Sequence, residues 1–250
     1  MNIVTQEHQG LIVPEHDKDT IIECSPLDLE IPSQGYTVQM CATEPRSLAH
    51  YYLPSAVTPP TKFVPQSKWK YDFWYMGSTD THDFRKTFLA RIVEFLESNK
   101  IKNFVYVYDG YFPTLEQRKK EFLHQKFESS LIQSKFALCP RGNGIQTSRF
   151  YEAIAANILP IYIGPKEAKF PLDWIINWEK ACFRIDQKDF IRSFKRDRKG
   201  SVQNEFLQSI MSLSNDEVNG RRKYLFDMFC TYLHDRKKIL KAVKEHLEKE

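Results

Sequence analysis

The chain has 250 residues, of which 42% are hydrophobic, 14% aromatic and 27% charged, with a formal net charge of +4. That length suits one large domain, or one domain with a smaller companion, and the composition is that of an ordinary soluble globular protein. The mild basicity suits an anionic ligand but does not demand nucleic acid, which usually comes with a far more basic domain, and no apolar run approaches the roughly 18 residues of a membrane span.

Residues 1 to about 66 are rich in proline and poor in helix signals. Short strands are expected at residues 11–13, 20–22 and 36–40. Pro54, Pro59, Pro60 and Pro65 make the following stretch extended and linker-like. The opening "MNIVTQEHQG" lacks a charged segment followed by an apolar one, so no secretory leader is expected. The expected location is cytoplasmic, or a soluble piece of an anchored protein. Asp17-Lys18-Asp19 superficially matches a metal-carrying D-x-D, but a two-residue match in a polar stretch is common by chance.

Regular alternation begins at Tyr71. Residues 71–76 read as a buried strand that stops at Gly77-Ser78. A polar loop leads into residues 84–99, where apolar side chains at 84, 88, 89, 92, 95 and 96 keep helical spacing. Residues 104–108 form the next strand, 115–133 a helix, and 136–139 a third strand. Residues 149–157 are helical, 159–163 form a fourth strand, and 181–185 a fifth. This alternation predicts an α/β fold with a parallel sheet covered by helices, whose ligands bind at the carboxyl ends of the strands. Gly77-Ser78 and residues 140–148 both fall at such ends. Beyond Asp189 the chain is helical and charged. The basic run "RSFKRDRK" (192–199) reads as a solvated loop, and its lone Phe194 offers no series of stacking platforms for a nucleic acid. An amphipathic helix, broken or continuous, covers residues 216–250.

The five cysteines are odd in number, scattered and without a C-x-x-C pair, so neither a zinc site nor a disulfide framework is indicated. Cys139 and Cys182 sit in apolar runs and are expected as reduced core residues.

The turn "CPRGNG" after the third strand carries the strongest chemical signal. It feeds a helix whose first N–H groups and dipole favour an anion. Gly142 and Gly144 allow close approach of the backbone, with Asn143 between them. Arg141 and Arg149 bracket the turn, and a guanidinium pairs with phosphate through two parallel bonds. Thr147 and Ser148 can cap the helix or direct a hydroxyl at a phosphate. With Ser148 as N-cap, Glu152 falls outside the capping box. It is then either spare for a pair of ribose hydroxyls or a complement to the helix dipole. The turn is neither a Walker loop nor G-x-G-x-x-G.

The segment "SKFALCPRGNGIQTSRFYEAIAANILPIYIG", residues 134–164, resembles the exostosin-type glycosyltransferases (family 47), which carry a close variant of S-x-F-x-L-C-P-R-G-x-G…S-R-x-x-[ED]-A. The likeness continues through "FPLDWIINWEKACFRI" and reaches back weakly to "YDFWYMGSTDTHDFRKTFL", covering about half of the chain. It implies a GT-B architecture, with a nucleotide sugar held by a Rossmann-like domain and an inverting, metal-independent transfer to a carbohydrate acceptor. No cofactor beyond the donor, typically a UDP-sugar, is implied. By the resemblance, Arg141 and the loop at 142–144 would bind the diphosphate. Ser148 and Arg149 would extend those contacts, and Glu152 would take the ribose. Gly77 closes the first strand, and Arg85 is a further phosphate candidate.

Only about 66 residues precede the recognised part, so an acceptor domain that is reduced, truncated or replaced is expected. The implied division is an acceptor-side region at 1–66, a nucleotide-sugar-binding domain at 67–200 and C-terminal helices at 201–250. An inverting transfer needs a base. Glu44, after the strand at 36–40, is one candidate, and Asp80, His82 and Asp83 in the loop after Gly77 are the others. A non-catalytic module that binds nucleotide sugar or glycan on the same fold is the competing reading.

Overall fold

The computed structural model of the chain describes residues 2–6, 20–24, 36–40, 49–51, 59–80, 82–110, 115–142, 147–247 and 249. Near the N-terminus, β1 (Asn2–Gln6), β2 (Thr20–Cys24), β3 (Tyr36–Met40) and β4 (Ala49–Tyr51) pair in parallel, in sequence order. The expected strands at 20–22 and 36–40 are therefore present, whereas the one at 11–13 lies outside the described residues. Glu44, Asp17 and Asp19 lie outside them too.

The main sheet contains β5 (Tyr71–Gly77), β6 (Asn103–Val107), β7 (Ser134–Pro140), β8 (Leu159–Gly164) and β9 (Phe183–Asp186). All neighbours are parallel and the order is β6-β5-β7-β8-β9. This is a doubly wound order in which the winding reverses between β5 and β7, the place where such sheets open a crevice for ligands. The helices follow the alternation read from the sequence: α1 (Asp83–Ser98), α2 (Gln117–Leu131) and α3 (Ser148–Ala155).

β5 and β7 lie under helices, and β7 and β8 are buried along their whole length. Phe88 of α1 is fully buried and packs on Tyr75 and on Phe190 of α5 (Gln187–Arg192). Trp74, pointing the other way along the strand, meets Phe127 of α2 edge-on at 5.0 Å and donates its ring N–H to Ser130 Oγ at 2.8 Å. The period-two alternation of β5 thus feeds a separate aromatic cluster on each face. Cys139 and Cys182 are both buried, as their apolar surroundings predict.

Two expectations need correction. The fifth strand starts at Phe183 rather than Ala181, because Trp178–Ala181 forms a short helix, α4, whose start is capped by Asn177 accepting from the Lys180 N–H. The basic run is not a solvated loop. Phe194–Arg196 (β10) pairs antiparallel with Val202–Asn204 (β11), the turn passes through Gly200 at φ +84°, and Phe194 packs against Phe95 and Phe190. Arg196 and Lys195 pair with Glu94 and Glu205, so these charges belong to a folded hairpin.

The C-terminal part comprises α6 (Glu205–Met211), α7 (Asn215–Met228), a π-helical turn (Phe229–Leu233) and α8 (Arg236–Leu247), so the amphipathic segment is a broken one. α7 begins with a capping box between Ser214 and Glu217. One stripe of α7 grips the linker. Asn219 exchanges two hydrogen bonds with the backbone of Gln66, at 3.0 and 2.8 Å, and Asn215 donates to the Ser67 carbonyl at 3.3 Å. Arg222 Nε donates to the Asn157 carbonyl at 3.0 Å, and Phe226 meets Phe63. None of the described helices is long and apolar enough to cross a membrane.

Replacing Phe88 by alanine is expected to destabilise the fold by about 3–5 kcal/mol, because the surrounding rings cannot all collapse into the space. Urea denaturation with an unchanged m-value would measure it.

Candidate functional site

The carboxyl end of β5 is held by two guanidiniums. Arg85, in the first turn of α1, donates from Nη1 to the Ser78 carbonyl and from Nε to the Arg141 carbonyl, both at 3.1 Å. It thereby spans the gap between the ends of β5 and β7. Arg149, in the first turn of α3, donates from Nε to the Met76 carbonyl at 2.9 Å and lies over the Phe127 ring of α2, with its central carbon 4.5 Å from the centroid. Arg85 belongs to the α1 layer, with Tyr75 and Phe88. Arg149 belongs to the α2 layer, so the two cations approach Gly77 from opposite faces of the sheet.

Their electrostatic settings differ. Arg149 pairs with the buried Glu152 carboxylate one turn on, and Tyr108 lies 3.5 Å from its Nη2. Burial disfavours the charged guanidinium, but Glu152 and then Tyr108 outweigh it and raise its pKa. Arg85 is 8% exposed and has no carboxylate partner among the described residues. Burial, chiefly, lowers its pKa, and the nearby Arg149 charge acts in the same direction.

The glycines fit around Arg85. A Cβ at Gly142 would stand 3.2 Å from Arg85 Nη2, and one at Gly77 would stand 2.8 Å from the Tyr75 hydroxyl and 3.5 Å from Arg85 Nη1. Arg141 anchors the turn by its own N–H to the Ile163 carbonyl of β8, and its Nε donates to the Gly142 carbonyl at 3.2 Å.

Of the residues expected from the sequence, Gly77, Arg85, Arg141, Gly142, Thr147, Ser148, Arg149 and Glu152 fall around the ends of β5 and β7. Asn143 and Gly144 lie outside the described residues. Thr147, not Ser148, is the N-cap of α3, and its side chain makes no capping bond, so Ser148 is the first helical residue. Glu152 is not spare here, since its carboxylate is taken by Arg149. Asp80 accepts from the Gly110 N–H at 2.9 Å and so ties the loop after β5 to the loop after β6. Asp83 is exposed in the first turn of α1, where it complements the dipole. His82 is the N-cap of α1, its Nδ1 accepting from the Phe84 N–H at 3.0 Å.

The sequence reading missed Tyr75 and Tyr108. Tyr75 is 1% exposed, and its hydroxyl is buried without a hydrogen-bond partner beside Gly77. Strict alternation along "YDFWYMG" places residues 71, 73, 75 and 77 on one face and could have signalled it. Two cavities of about 630 and 670 Å³ flank Arg184 and share Lys166, Phe170, Trp178 and Glu179, and neither is lined by the arginine cluster. The candidate site is marked by its converging charge. Among the described residues no group of three or more His, Cys, Asp or Glu side chains is placed to hold a metal ion.

No family model matches the chain, and neither does any curated protein. Similar solved structures include the GtfA/B complex, at 10% identity over 92% of this chain and 45% of that one, with a TM-score of 0.44. TarM is similar at 11% identity over 92% of this chain and 55% of its own, again with a TM-score of 0.44. The chain spans about half the length of these matches. The strand order and registers, rather than this likeness, establish the Rossmann-like core.

Two predictions follow from the geometry. Tyr75→Phe removes a buried hydroxyl that has no partner, so stability should stay level or rise by about 1 kcal/mol, and Gly77→Ala should be less damaging in that background. Both are read from thermal or urea unfolding. The second prediction concerns pH. The His82 pKa is lowered from 6.5, by burial first and then by the Arg141 charge. Its neutral form, the one that can accept at the cap, is thus favoured on folding. The cap's contribution is complete above pH about 6.5 and is lost as pH falls through the lower folded-state value. His82→Asn, which caps without titrating, should flatten that part of the stability profile.

Proposed function

We propose that the chain is a glycosyltransferase that binds a nucleotide-diphosphate sugar, a UDP-sugar by the sequence resemblance, at the carboxyl ends of β5 and β7. It transfers the sugar to a glycan hydroxyl. The observation that carries this reading is the convergence of Arg85, Arg141 and Arg149 on the reversal point of a doubly wound parallel sheet, beside the first turn of α3. Three guanidiniums meet one buried carboxylate in this cluster, with Asp80 and Asp83 on the adjoining loop and helix start, and the first turn of α3 adds its own partial positive charge. A leaving diphosphate finds its countercharge there in place, which is the kind of preorganised stabilisation that lowers a transfer barrier. The arginines supply that charge without a divalent ion, so the proposed transfer is metal-independent, and the resemblance makes it inverting.

The donor makes a chemical demand on the Arg149–Glu152 pair. A diphosphate competes with Glu152 for the guanidinium, and as it draws Arg149 forward the carboxylate is released toward the ribose hydroxyls. Glu152 then serves as counter-ion to Arg149 before the donor binds and as acceptor for the ribose hydroxyls afterwards. The base that activates the acceptor is proposed among Glu44, Asp80 and Asp83.

Calorimetry with uridine diphosphate tests the donor site. Arg149→Ala should cost about 2–3 kcal/mol of binding, the range for a hydrogen bond to a charged group. The double variant Arg149→Ala/Glu152→Gln serves beside it, since it leaves no buried unpaired carboxylate. Hydrolysis of a panel of nucleotide sugars without acceptor, in excess EDTA, should show slow turnover. Tight binding without turnover in any condition would instead identify a non-catalytic module, and loss of turnover restored by Mn²⁺ would overturn the metal-free mechanism.

A further inference from the structure

Arg85 occupies its place at an electrostatic disadvantage. It is a cation in the first turn of a helix, where the dipole disfavours positive charge, and it is 8% exposed. Its pKa-lowering neighbours include a second cation, Arg149. An uncharged side chain of similar length would avoid all three costs, so the residue's use lies in what the guanidinium holds.

We infer that Arg85 is a positioning residue that locks the loop after β5 to the turn after β7, and that Gly142 is small in order to admit it. Nε and Nη1 are directed at two carbonyls that belong to different strand ends, Arg141 and Ser78. The planar fork fixes their separation as a single ammonium cannot. Nη2 lies against Gly142, where any Cβ would crowd it at 3.2 Å. Both carbonyls are thereby turned inward toward the guanidinium. A ligand oxygen at the turn is thus spared the repulsion of two outward-facing carbonyl dipoles, and the Arg85 charge reaches it through the turn. Arg141 takes its place from the same lock, because its own carbonyl is one of the two that are gripped. The role differs from that of a direct phosphate ligand, which would leave the fork free for the anion. Only the ligand part of this inference rests on the donor-site reading.

The test uses the full chain and two readouts. Hydrogen exchange, measured without ligand, should show the amides of residues 78–80 and 141–142 losing protection together, by about tenfold or more, in Arg85→Met. Arg85→Lys should lose it equally, since it keeps the charge and loses the fork. Gly142→Ala should reproduce the effect from the other side with the arginine intact. It also provides the reading if the Arg85 variants do not fold. The rest of the sheet should keep its protection, and the exposed Arg91→Met on the same helix should change neither loop. Uridine diphosphate affinity should fall about 10- to 100-fold in the same three variants, as when a group that orients a binding shell is removed. Full protection and affinity in Arg85→Lys would overturn the inference by showing that charge alone suffices. Exchange raised throughout the sheet would overturn it by reducing Arg85 to a packing residue. A wild-type chain that binds no uridine diphosphate would sink the donor reading, and the exchange result would still decide the lock.

Discussion

Backbone carbonyls at the end of a parallel strand need donors that the sheet no longer supplies, and this chain meets that need at β5 with arginine. Ser78 and Arg141 are satisfied from the α1 side, Met76 from the α3 side. Each guanidinium leaves its charge at the sheet's carboxyl end while its carbon stem is buried. Arg149 does so over the face of Phe127, where the ring partly replaces lost hydration. The aromatic layers on the two faces of the sheet are thus the supports on which two charges are carried into a place that water alone would not stabilise.

The helices that carry the two arginines are themselves fixed by packing. α1 is fixed by Phe88 between the sheet and Phe190, and α3 by Phe150, which stacks on Phe170 at 4.9 Å and touches Trp178 and Tyr162. Groups held by packed elements keep their geometry better than groups carried on loops alone.

Much of the core was legible because the alternation of short apolar runs with 3.6-period segments is a strong local signal, and the turn "CPRGNG" carries its chemistry in consecutive residues. Other features depended on contacts distant in sequence. β10 is anchored to α1 by Phe194 meeting Phe95, about a hundred residues away, and nothing local in "RSFKRDRK" announces a strand. The Glu152 reading missed its partner although Arg149 and Glu152, three residues apart in one helix, face one another whichever of Thr147 and Ser148 is the N-cap. Arg85 could be listed as a phosphate candidate from its position after the first strand. That its fork is directed at two carbonyls could be seen only once β5 and β7 were neighbours.

The stripe on α7 redraws the edge of the folded unit. Asn215, Asn219, Arg222 and Phe226 follow one another at intervals of four, three and four residues, and they meet Ser67, Gln66, Val64 and Phe63 in reverse order. The asparagine at 219 acts toward Gln66 as a neighbouring strand would, offering one donor and one acceptor to a single peptide unit. A chain begun at residue 67 would therefore lose more than a tail. It would strip a buried guanidinium, already lowered to a pKa of about 10 by burial, of the Val64 carbonyl and the Phe63 ring beside it. The smallest piece able to keep this helix in register begins near Lys62, several residues before the first strand of the main sheet.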